Sequence, residues 1–462
     1  MRIKTKWLVI LLALGLVVAA CSPAADEGTA TTPAAAEEPA EEPAEEPAEE
    51  PEDEGEMMIA TDIGVDLEAG TITIGLLSDL TGPFSPLVGA IVTGQEVYWE
   101  EVNANGGING LQVVLEVRDT GYVVDNHVQM YDELKDKVVA FGHSTGSPHT
   151  VAINPQLQED GILAIPLTWY SGWSDPAINS NLLPHGAPYC IEAQNVIGWA
   201  VEQNPDLSTL AIVSLPGDYG QDSAAGAKIA AEALGLEIVY DGEATVVPTD
   251  EAGLAAAADA IVSANPDMVW ITTTPTMFGA IFGQALAKGY QGLWSGAAPT
   301  YNPAFVAPDS PIKDVVAATT FWGSYYETWS GTSPGTQEAK ALLLERRPDI
   351  TPFDFYFEGM IEAKIMHEAL LKAYENGDLT QAGVLAAAKS LEEVDFNGLA
   401  PNETYVGDAN STVQRVMNII KPDPEGLAAG TSGGTVIVEA NYTSANAAAY
   451  EFTGACYVLG GG

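Results

Sequence analysis

The stretch that decides the fold is Val138–Thr150, with the sequence VVAFGHSTGSPHT. Its first four residues, Val138–Phe141, form an apolar run that predicts a buried strand. Gly142, Gly146 and Pro148 predict a tight turn, and the apolar-periodic segment that starts at Pro148 predicts a helix. This arrangement favours an anionic or polar group at the turn, because the first N–H groups of a helix lack intrahelical partners and its dipole favours negative charge.

The same loop matches the hydrolase pattern G-x-S-x-G at Gly142, Ser144 and Gly146. A hydrolase with Ser144 as nucleophile also needs an acid and a histidine on a loop late in the chain. The five histidines are His127, His143, His149, His185 and His367. His185 follows Ser144 by only about forty residues, and His367 lies within a predicted helix, so no histidine suits that role. The sequence therefore predicts a binding loop, no catalytic residue and no enzyme.

Strand and helix signals alternate on both sides of this stretch. The predicted strands are Thr71–Leu77, Leu111–Val117, Val138–Phe141, Ile162–Ile165, Leu210–Ser214, Leu236–Tyr240, Met268–Thr273 and Leu293–Ser295. Helical patterns separate most of them, and a long irregular stretch, 168–189, divides them into two runs. Alternation of this kind predicts an α/β protein with two lobes, each a mainly parallel sheet flanked by helices.

The last third of the chain has a different pattern. A strand is predicted at Val315–Phe321, three helices follow, and late strands are predicted at Val413–Ile420 and Thr435–Glu439. This order suits a chain that returns to both lobes, so we expect a hinge of more than one segment. The predicted boundaries are 71–190 plus 320–420 for lobe 1, and 191–319 plus 421–462 for lobe 2.

The N-terminus predicts export. Residues 1–20 comprise a basic start, an apolar run from Trp7 to Val18 and Ala19-Ala20 directly before Cys21. This order resembles a bacterial lipoprotein signal peptide, which implies cleavage before Cys21 and lipidation of its thiol. The apolar run is shorter than the ~20 residues that a membrane-spanning helix needs. We therefore expect a lipid-anchored protein on the extracytoplasmic face of the cell envelope.

Residues 21–70 predict a linker. Glu-Glu-Pro-Ala repeats over 37–50, and the segment contains no Lys or Arg. Like charges repel and proline opposes helix formation, which predicts an extended, solvated spacer. The whole chain of 462 residues carries a formal net charge of −47, which makes nucleic acid an unfavourable partner.

The three cysteines, Cys21, Cys190 and Cys456, do not form a C-x-x-C motif or a Cys/His cluster with metal-ligand spacing. The sequence therefore predicts no metal and no cofactor. Cys190 and Cys456 could form a disulfide in an exported protein, or remain two small apolar residues.

With this layout, the chain resembles the leucine/isoleucine/valine-type solute-binding proteins of ABC transporters over about residues 71–440. The matching segments are Ile74–Phe84, Asn103–Gly110, Val139–Gly142, Gly161–Pro166, Asp218–Gly220 and Phe396–Gly398. The resemblance implies the two-lobed type I periplasmic-binding fold, a small polar organic ligand such as an amino acid in the cleft between the lobes, closure about the hinge, and a membrane permease as partner. It also implies a monomer.

The resemblance implies ligand-binding positions as well. Thr145, Gly146 and Ser147 would hold a ligand carboxylate, and Leu167, Thr168 and Trp169 would contribute from the next loop. The second lobe would contribute Tyr219 and Thr274, with the loop Thr81–Leu87 at the cleft mouth.

The family's acid for an α-ammonium group should fall near Ala298, where this chain has none. Asp79 or Asp218 could substitute, although each is expected to be a structural loop residue. An unpartnered buried ammonium is costly, so an α-amino acid is in doubt. The segment Thr168–Gly172 resembles the urea- and amide-binding branch, and a small carboxylate is a further alternative ligand. A ligand-sensing lipoprotein that signals to a receptor is an alternative function.

Trp169, Tyr170 and Trp173 cluster within five residues. They predict either a stacking surface for the ligand or a hydrophobic plug under a long loop.

Overall fold

A computed structural model describes residues 58–459. The predicted signal peptide, Cys21 and the greater part of the predicted linker lie outside the described residues. The fold begins before residue 71, because the strand Ala60–Thr61 pairs with a strand near residue 378 and Ile59 packs against the first core. The acidic composition of the preceding segment placed Met58 and Ile59 in the predicted linker, although Ile59 belongs to the folded part.

The first lobe contains a sheet with helices on both faces. Its elements, in chain order, are β1 (Ala60–Thr61), β2 (Val65–Asp66), β3 (Thr71–Ser78), α1 (Ser85–Ala104), β4 (Gln112–Asp119), α2 (Val124–Leu134), β5 (Ala140–Thr145), α3 (Ser147–Asp160) and β6 (Ala164–Leu167). The parallel strand order is β4-β3-β5-β6, and β2 pairs antiparallel with the start of β3. Ile72, Ile74 and Leu76 of β3 face the main core and Leu77 faces a second cluster, as expected for a strand covered on both sides.

The second lobe repeats this architecture. Its elements are α4 (Tyr189–Gln203), β7 (Thr209–Ser214), α5 (Asp218–Leu234), β8 (Glu237–Gly242), α6 (Glu251–Ala264), β9 (Met268–Thr272), α7 (Pro275–Ala287), β10 (Leu293–Ser295), α8 (Lys313–Thr319) and β11 (Trp322–Ser324). The parallel order is β8-β7-β9-β10. The two-lobed α/β prediction is confirmed.

The prediction of a strand at Val315–Phe321 was wrong. Residues 313–319 form the helix α8, and the strand β11 starts only at Trp322. Adjacent β-branched residues suggested a strand, but Ile312, Val315 and Val316 all contact the second-lobe core, and their spacing of three and four residues is helical.

After β11 the chain returns to the first lobe, and at Met417 it enters the second lobe again. The remaining elements are α9 (Pro334–Arg346), α10 (Phe355–Glu375), β12 (Asp378–Leu379), α11 (Gln381–Ala388), α12 (Ala409–Thr412), β13 (Met417–Pro422), α13 (Pro424–Ala429), β14 (Thr435–Tyr442) and α14 (Ala445–Ala449). The long helix α10 packs closely on α1: a Cβ at Gly359 would lie 1.8 Å from the carbonyl oxygen of Ile91. β11, β13 and β14 form an antiparallel sheet.

The crossings between lobes differ by a few residues from those expected. Trp322 packs in a second-lobe core, whereas Tyr325 packs in the first-lobe core, so the return crossing lies after residue 322 and not at 320. Met417 and Ile419 pack in the second lobe, so the last crossing lies before 417 and not after 420. Up to β14, three segments therefore connect the lobes, the first of them just before Tyr189.

A disulfide joins Cys190, in the first turn of α4, to Cys456 near the C-terminus. The bridged segment lies against the first lobe, where the Tyr170 hydroxyl donates to the carbonyl oxygen of Tyr457 at 2.7 Å. The disulfide thus ties the C-terminal segment across the first crossing between the lobes.

Candidate ligand-binding cleft

Two adjoining cavities lie between the lobes. They contain about 430 and 700 Å³ of space that is partly open to solvent, and they share Trp169, Pro299 and Phe355. The smaller cavity is also lined by Phe84, Leu87, Val88, Ile91, Tyr122, Thr145, Gly146, Ser147, Leu167, Tyr189 and Tyr219. Thr145 and Leu167 end the parallel strands β5 and β6, and open α/β sheets bind ligands at this edge.

The loop between β5 and α3 presents backbone donors at this cavity. Gly146 has a φ of +95°, and its own N–H donates to the carbonyl oxygen of Leu167 at 3.2 Å. α3 begins at Ser147 without a side-chain cap. Pro148 has no N–H and the N–H of Thr150 donates to the carbonyl oxygen of Gly146, so the N–H groups of Ser147 and His149 are the first-turn donors without a partner among the described residues. The Ser147 hydroxyl hydrogen-bonds that of Thr168.

A series of buried hydrogen bonds fixes the side chain of Thr145. Its hydroxyl contacts Nε2 of His143, whose Nδ1 lies 2.8 Å from Oε2 of Glu362 on α10. The same Glu362 oxygen accepts a bond of 2.9 Å from Nε2 of Gln95 on α1. These contacts fix the rotamer of Thr145, the pre-organisation that a binding site needs.

The residues of the aromatic cluster divide between the cleft and the core of the first lobe. Trp169 lines both cavities, and its ring centroid lies 5.9 Å from that of Tyr189 and 6.0 Å from that of Tyr325. Tyr170 and Trp173 instead pack edge to face, 5.1 Å apart, in a buried cluster of the first lobe. Trp169 therefore faces the cleft, and the other two rings form a hydrophobic plug beneath the loop.

Of the two predicted binding residues in the second lobe, Tyr219 lines a cavity and Thr274 does not. Tyr219 lines the smaller cavity, and its hydroxyl donates to the carbonyl oxygen of Thr273 at 3.1 Å. Thr274 caps α7, its hydroxyl accepting the N–H of Met277 at 3.3 Å, and it lines neither cavity. Thr168 is buried behind Ser147 and also lies outside both linings. Thr274 and Thr168 are therefore supporting residues.

Ala298 lines the larger cavity, and an acid does reach it from another element. The backbone N–H of Ala298 donates to Oε1 of Glu192, on α4, at 2.9 Å. Burial raises the pKa of Glu192 to about 8. The sequence did not identify Glu192 as a cleft residue. An acid in the first turn of a helix ordinarily interacts with the helix dipole, so its position there did not indicate a binding site.

The two substitutes considered for that acid do not line either cavity. Asp79 accepts the N–H groups of Gly82 and Phe84 and so shapes the first loop. Asp218 starts α5 in a buried position, where desolvation raises its pKa to about 6.

The larger cavity is mainly aromatic and aliphatic. Its lining includes Tyr301, Trp322, Tyr325, Tyr326, Phe353, Met417 and Ile420, with Glu192 and Asp354 as the acids. These aromatic residues come from segments that are distant in sequence, so no local pattern could have identified them.

Ser144 does have a histidine neighbour, contrary to expectation. Nε2 of His127 lies 3.1 Å from Oγ of Ser144. Both side chains are fully buried, and Nδ1 of His127 has no hydrogen-bond partner in the described residues. Burial lowers the pKa of His127 to about 3. The pair therefore lacks both the orienting carboxylate and the substrate access of a hydrolase.

One group in the described part of the chain has the residue types of a metal site: His185, Glu358 and Glu362. Each glutamate is already paired with a histidine, Glu358 with His185 at 2.6 Å and Glu362 with His143. The Tyr325 hydroxyl also hydrogen-bonds Glu358. The three residues thus belong to two buried histidine–glutamate pairs, His185 with Glu358 and His143 with Glu362.

No helix within residues 58–459 has both the length and the apolar character to cross a membrane.

Comparisons with known proteins agree with this geometry. A family model described as "Periplasmic binding protein" matches residues 71–431. A fatty acid ABC transporter substrate-binding protein from Thermomonospora curvata has 28% sequence identity and a TM-score of 0.77, over 85% of this chain and 97% of that one. No curated protein matches the chain significantly in sequence.

Two further solved structures share the fold. A branched-chain amino acid ABC transporter protein from Thermus thermophilus with bound valine is 21% identical, with a TM-score of 0.66 over 82% of this chain and 98% of that one. An isoleucine complex of a branched-chain amino acid transporter substrate binding protein from Streptococcus pneumoniae is 18% identical, with a TM-score of 0.65 over 80% and 99%. The chain therefore belongs to the periplasmic binding protein family, as a two-lobed solute-binding protein of the type that serves ABC transporters.

Proposed function

We propose that this protein captures a small organic ligand in the cleft between its lobes and delivers it to the permease of an ABC importer. The observation that carries the proposal is that six of the predicted binding residues, from both lobes, line one cavity. These residues are Thr145, Gly146, Ser147, Leu167, Trp169 and Tyr219.

The ligand binds with its polar end at the loop between β5 and α3. The N–H groups of Ser147 and His149 and the hydroxyl of Ser147 are suitable donors for a carboxylate or another oxygen-rich group, and Thr145 lies beside them. Because the site consists of neutral donors, it also suits an uncharged polar head. The rings of Trp169 and Tyr219 then pack against the atoms next to that head.

The body of the ligand is apolar and extends into the larger cavity. Aromatic side chains dominate its lining, and such a surface gains free energy by covering hydrocarbon. The structural neighbours described as binding a fatty acid, valine and isoleucine support a ligand with an aliphatic part.

Membrane attachment completes the proposal. Cleavage before Cys21 and lipidation of that residue anchor the chain, and the acidic segment 22–56 spaces the binding domain from the membrane. Closure about the three crossing segments encloses the ligand, and the closed monomer docks on the permease.

A thermal-shift screen tests this function. The purified protein is screened against L-valine, L-leucine, L-isoleucine, hexanoate, decanoate and urea. A true ligand at one hundred times its Kd adds about 2.7 kcal/mol of stability. Trp169→Ala should weaken that ligand at least tenfold, whereas Trp173→Phe, in the plug, should leave its Kd unchanged. Equal affinity of the Trp169→Ala variant and the unaltered protein would place the ligand elsewhere.

A further inference from the structure

A further cavity lies in the first lobe, apart from the cleft. It contains about 400 Å³ of space that is partly open to solvent. One wall is the loop 173–184, which follows β6, and the other is the segment 404–412, which precedes β13. Lys389, directly after α11, completes the lining. None of the lining residues is shared with the two cleft cavities, so this is a separate place for a ligand.

Lys389 brings a positive charge to this cavity that the protein does not neutralise. Its ammonium group forms no ion pair with a described residue, and burial lowers its pKa with no acid near enough to oppose that effect. No Asp or Glu of the described residues lines the cavity. This is a notable exception in a chain that has 64 Asp and Glu against 17 Lys and Arg. The cavity therefore favours a negative charge from outside the protein.

The lining also contains hydrogen-bond donors without acceptors. Nε1 of Trp173 and the hydroxyl of Tyr405 are buried and have no partner among the described residues. Ser174, which is 6% exposed, adds a hydroxyl to the same lining. An indole N–H, a phenol and a serine hydroxyl all donate to oxygen. Because a buried donor without an acceptor is destabilising, an oxyanion in this cavity supplies the partner that these groups lack.

The rest of the wall is apolar. Leu182 and Leu183 are buried there, and the ring of Trp173 is fixed edge to face against Tyr170, with the centroids 5.1 Å apart. Such a surface gains free energy by covering hydrocarbon. A cation beside apolar walls suits a carboxylate with a short alkyl chain better than a strongly hydrated inorganic anion.

We propose that this cavity is a second binding site, separate from the cleft, for a short-chain carboxylate. The carboxylate group pairs with the ammonium group of Lys389 and accepts the hydroxyl proton of Ser174. The alkyl chain packs against Trp173 and Leu182. This site does not depend on the proposed function, because it shares no lining residue with the cleft.

Nuclear magnetic resonance of the purified protein tests the site. Labelling with ¹⁵N-tryptophan gives an indole N–H signal for each tryptophan, and the signal of Trp173 is the one that Trp173→Phe lacks. We expect this signal to shift saturably on titration with sodium propionate, and not with sodium chloride at equal ionic strength. Propionamide has the same size without the charge and should bind at least tenfold more weakly. This comparison of probes does not depend on the folding of a Lys389 variant.

Lys389→Met then assigns the charge recognition to the ammonium group. The variant should lose at least tenfold in affinity for propionate. Lys340→Met is the matched control, because Lys340, on α9, is also half-buried, forms no ion pair with a described residue and lines none of these three cavities. Its affinity for propionate should stay unchanged.

The remaining outcomes would overturn the second site. These are a Trp173 signal that does not move with propionate, one that moves equally with propionamide, and an unchanged affinity in Lys389→Met. A saturable shift of the Trp169 signal alone would place the carboxylate in the cleft. That result would also overturn the second site, and it would leave the proposed function standing.

Discussion

Substituting Gly146 by alanine should damage the binding loop more than the same substitution at its counterpart in the second lobe. Gly146 precedes α3 with φ +95° and ψ 138°, and Gly217 precedes α5 with φ +91° and ψ 179°. Both backbones lie in a region that only glycine adopts readily. Alanine should therefore cost about 1–3 kcal/mol of unfolding free energy at either position.

The surroundings of the two glycines differ. A Cβ at Gly146 would lie 2.6 Å from Nδ1 of His149 and 2.7 Å from Cε2 of Tyr122, whereas a Cβ at Gly217 meets nothing within 4 Å. The crowding adds about 1–3 kcal/mol at Gly146, the usual cost of overpacking. Gly146→Ala should thus destabilise the protein by about 2–6 kcal/mol in total.

Urea denaturation followed by circular dichroism measures both variants, and calorimetry measures their affinity for the ligand found in the screen. Gly146→Ala should also weaken binding at least tenfold, because relief of the clash displaces Tyr122 from the cavity lining. Gly217→Ala should keep the Kd. Equal stabilities of the two variants, or an unchanged Kd in Gly146→Ala, would refute the described geometry of this loop.

Three further predictions concern other parts of the molecule. Ser144→Ala should leave any ester hydrolysis by the purified protein at background, and serine-dependent turnover in a continuous nitrophenyl ester assay would contradict the binding assignment. Cys456→Ser should lower the unfolding free energy by about 2–5 kcal/mol, because the disulfide closes a loop of 266 residues in the unfolded chain; an unchanged urea midpoint would show that the bridge does not contribute. Burial raises the pKa of Asp222 to about 7, so its stabilising effect is complete below about pH 4 and is lost as the pH rises to 7. Asp222→Asn should therefore reduce the loss of stability between pH 4 and 7, and an identical slope in the variant would exclude this role.

Local patterns were sufficient for most of the fold. The alternation of strands and helices predicted both parallel sheets, since buried strands and amphipathic helices leave distinct spacings in the sequence. The pattern failed at 315–321, where the strand tendency of Val315 and Val316 competed with their helical spacing and tertiary packing decided the outcome. The lobe boundaries in the structure differ from the predicted ones for a related reason. An apolar residue such as Trp322 could pack in either core, and the sequence does not show which.

The binding site was predictable only in part. Residues at strand ends, such as Thr145 and Leu167, follow from the sheet topology, which places ligands at that edge. Glu192 and Tyr325 reach the cleft from helices and crossings whose positions depend on how the lobes assemble. No spacing in the sequence encodes that assembly, so the larger cavity and its acid became apparent only in three dimensions.

In the proposed function, the ligand occupies the cleft between the lobes. A crystal structure of the complex with the tightest compound from the screen tests this claim most directly. We expect electron density enclosed by Ser147, Trp169 and Tyr219, with the polar end of the ligand at the N-terminus of α3 and its apolar body in the larger cavity. Ligand density outside these two cavities, with the cleft filled only by water, would contradict it.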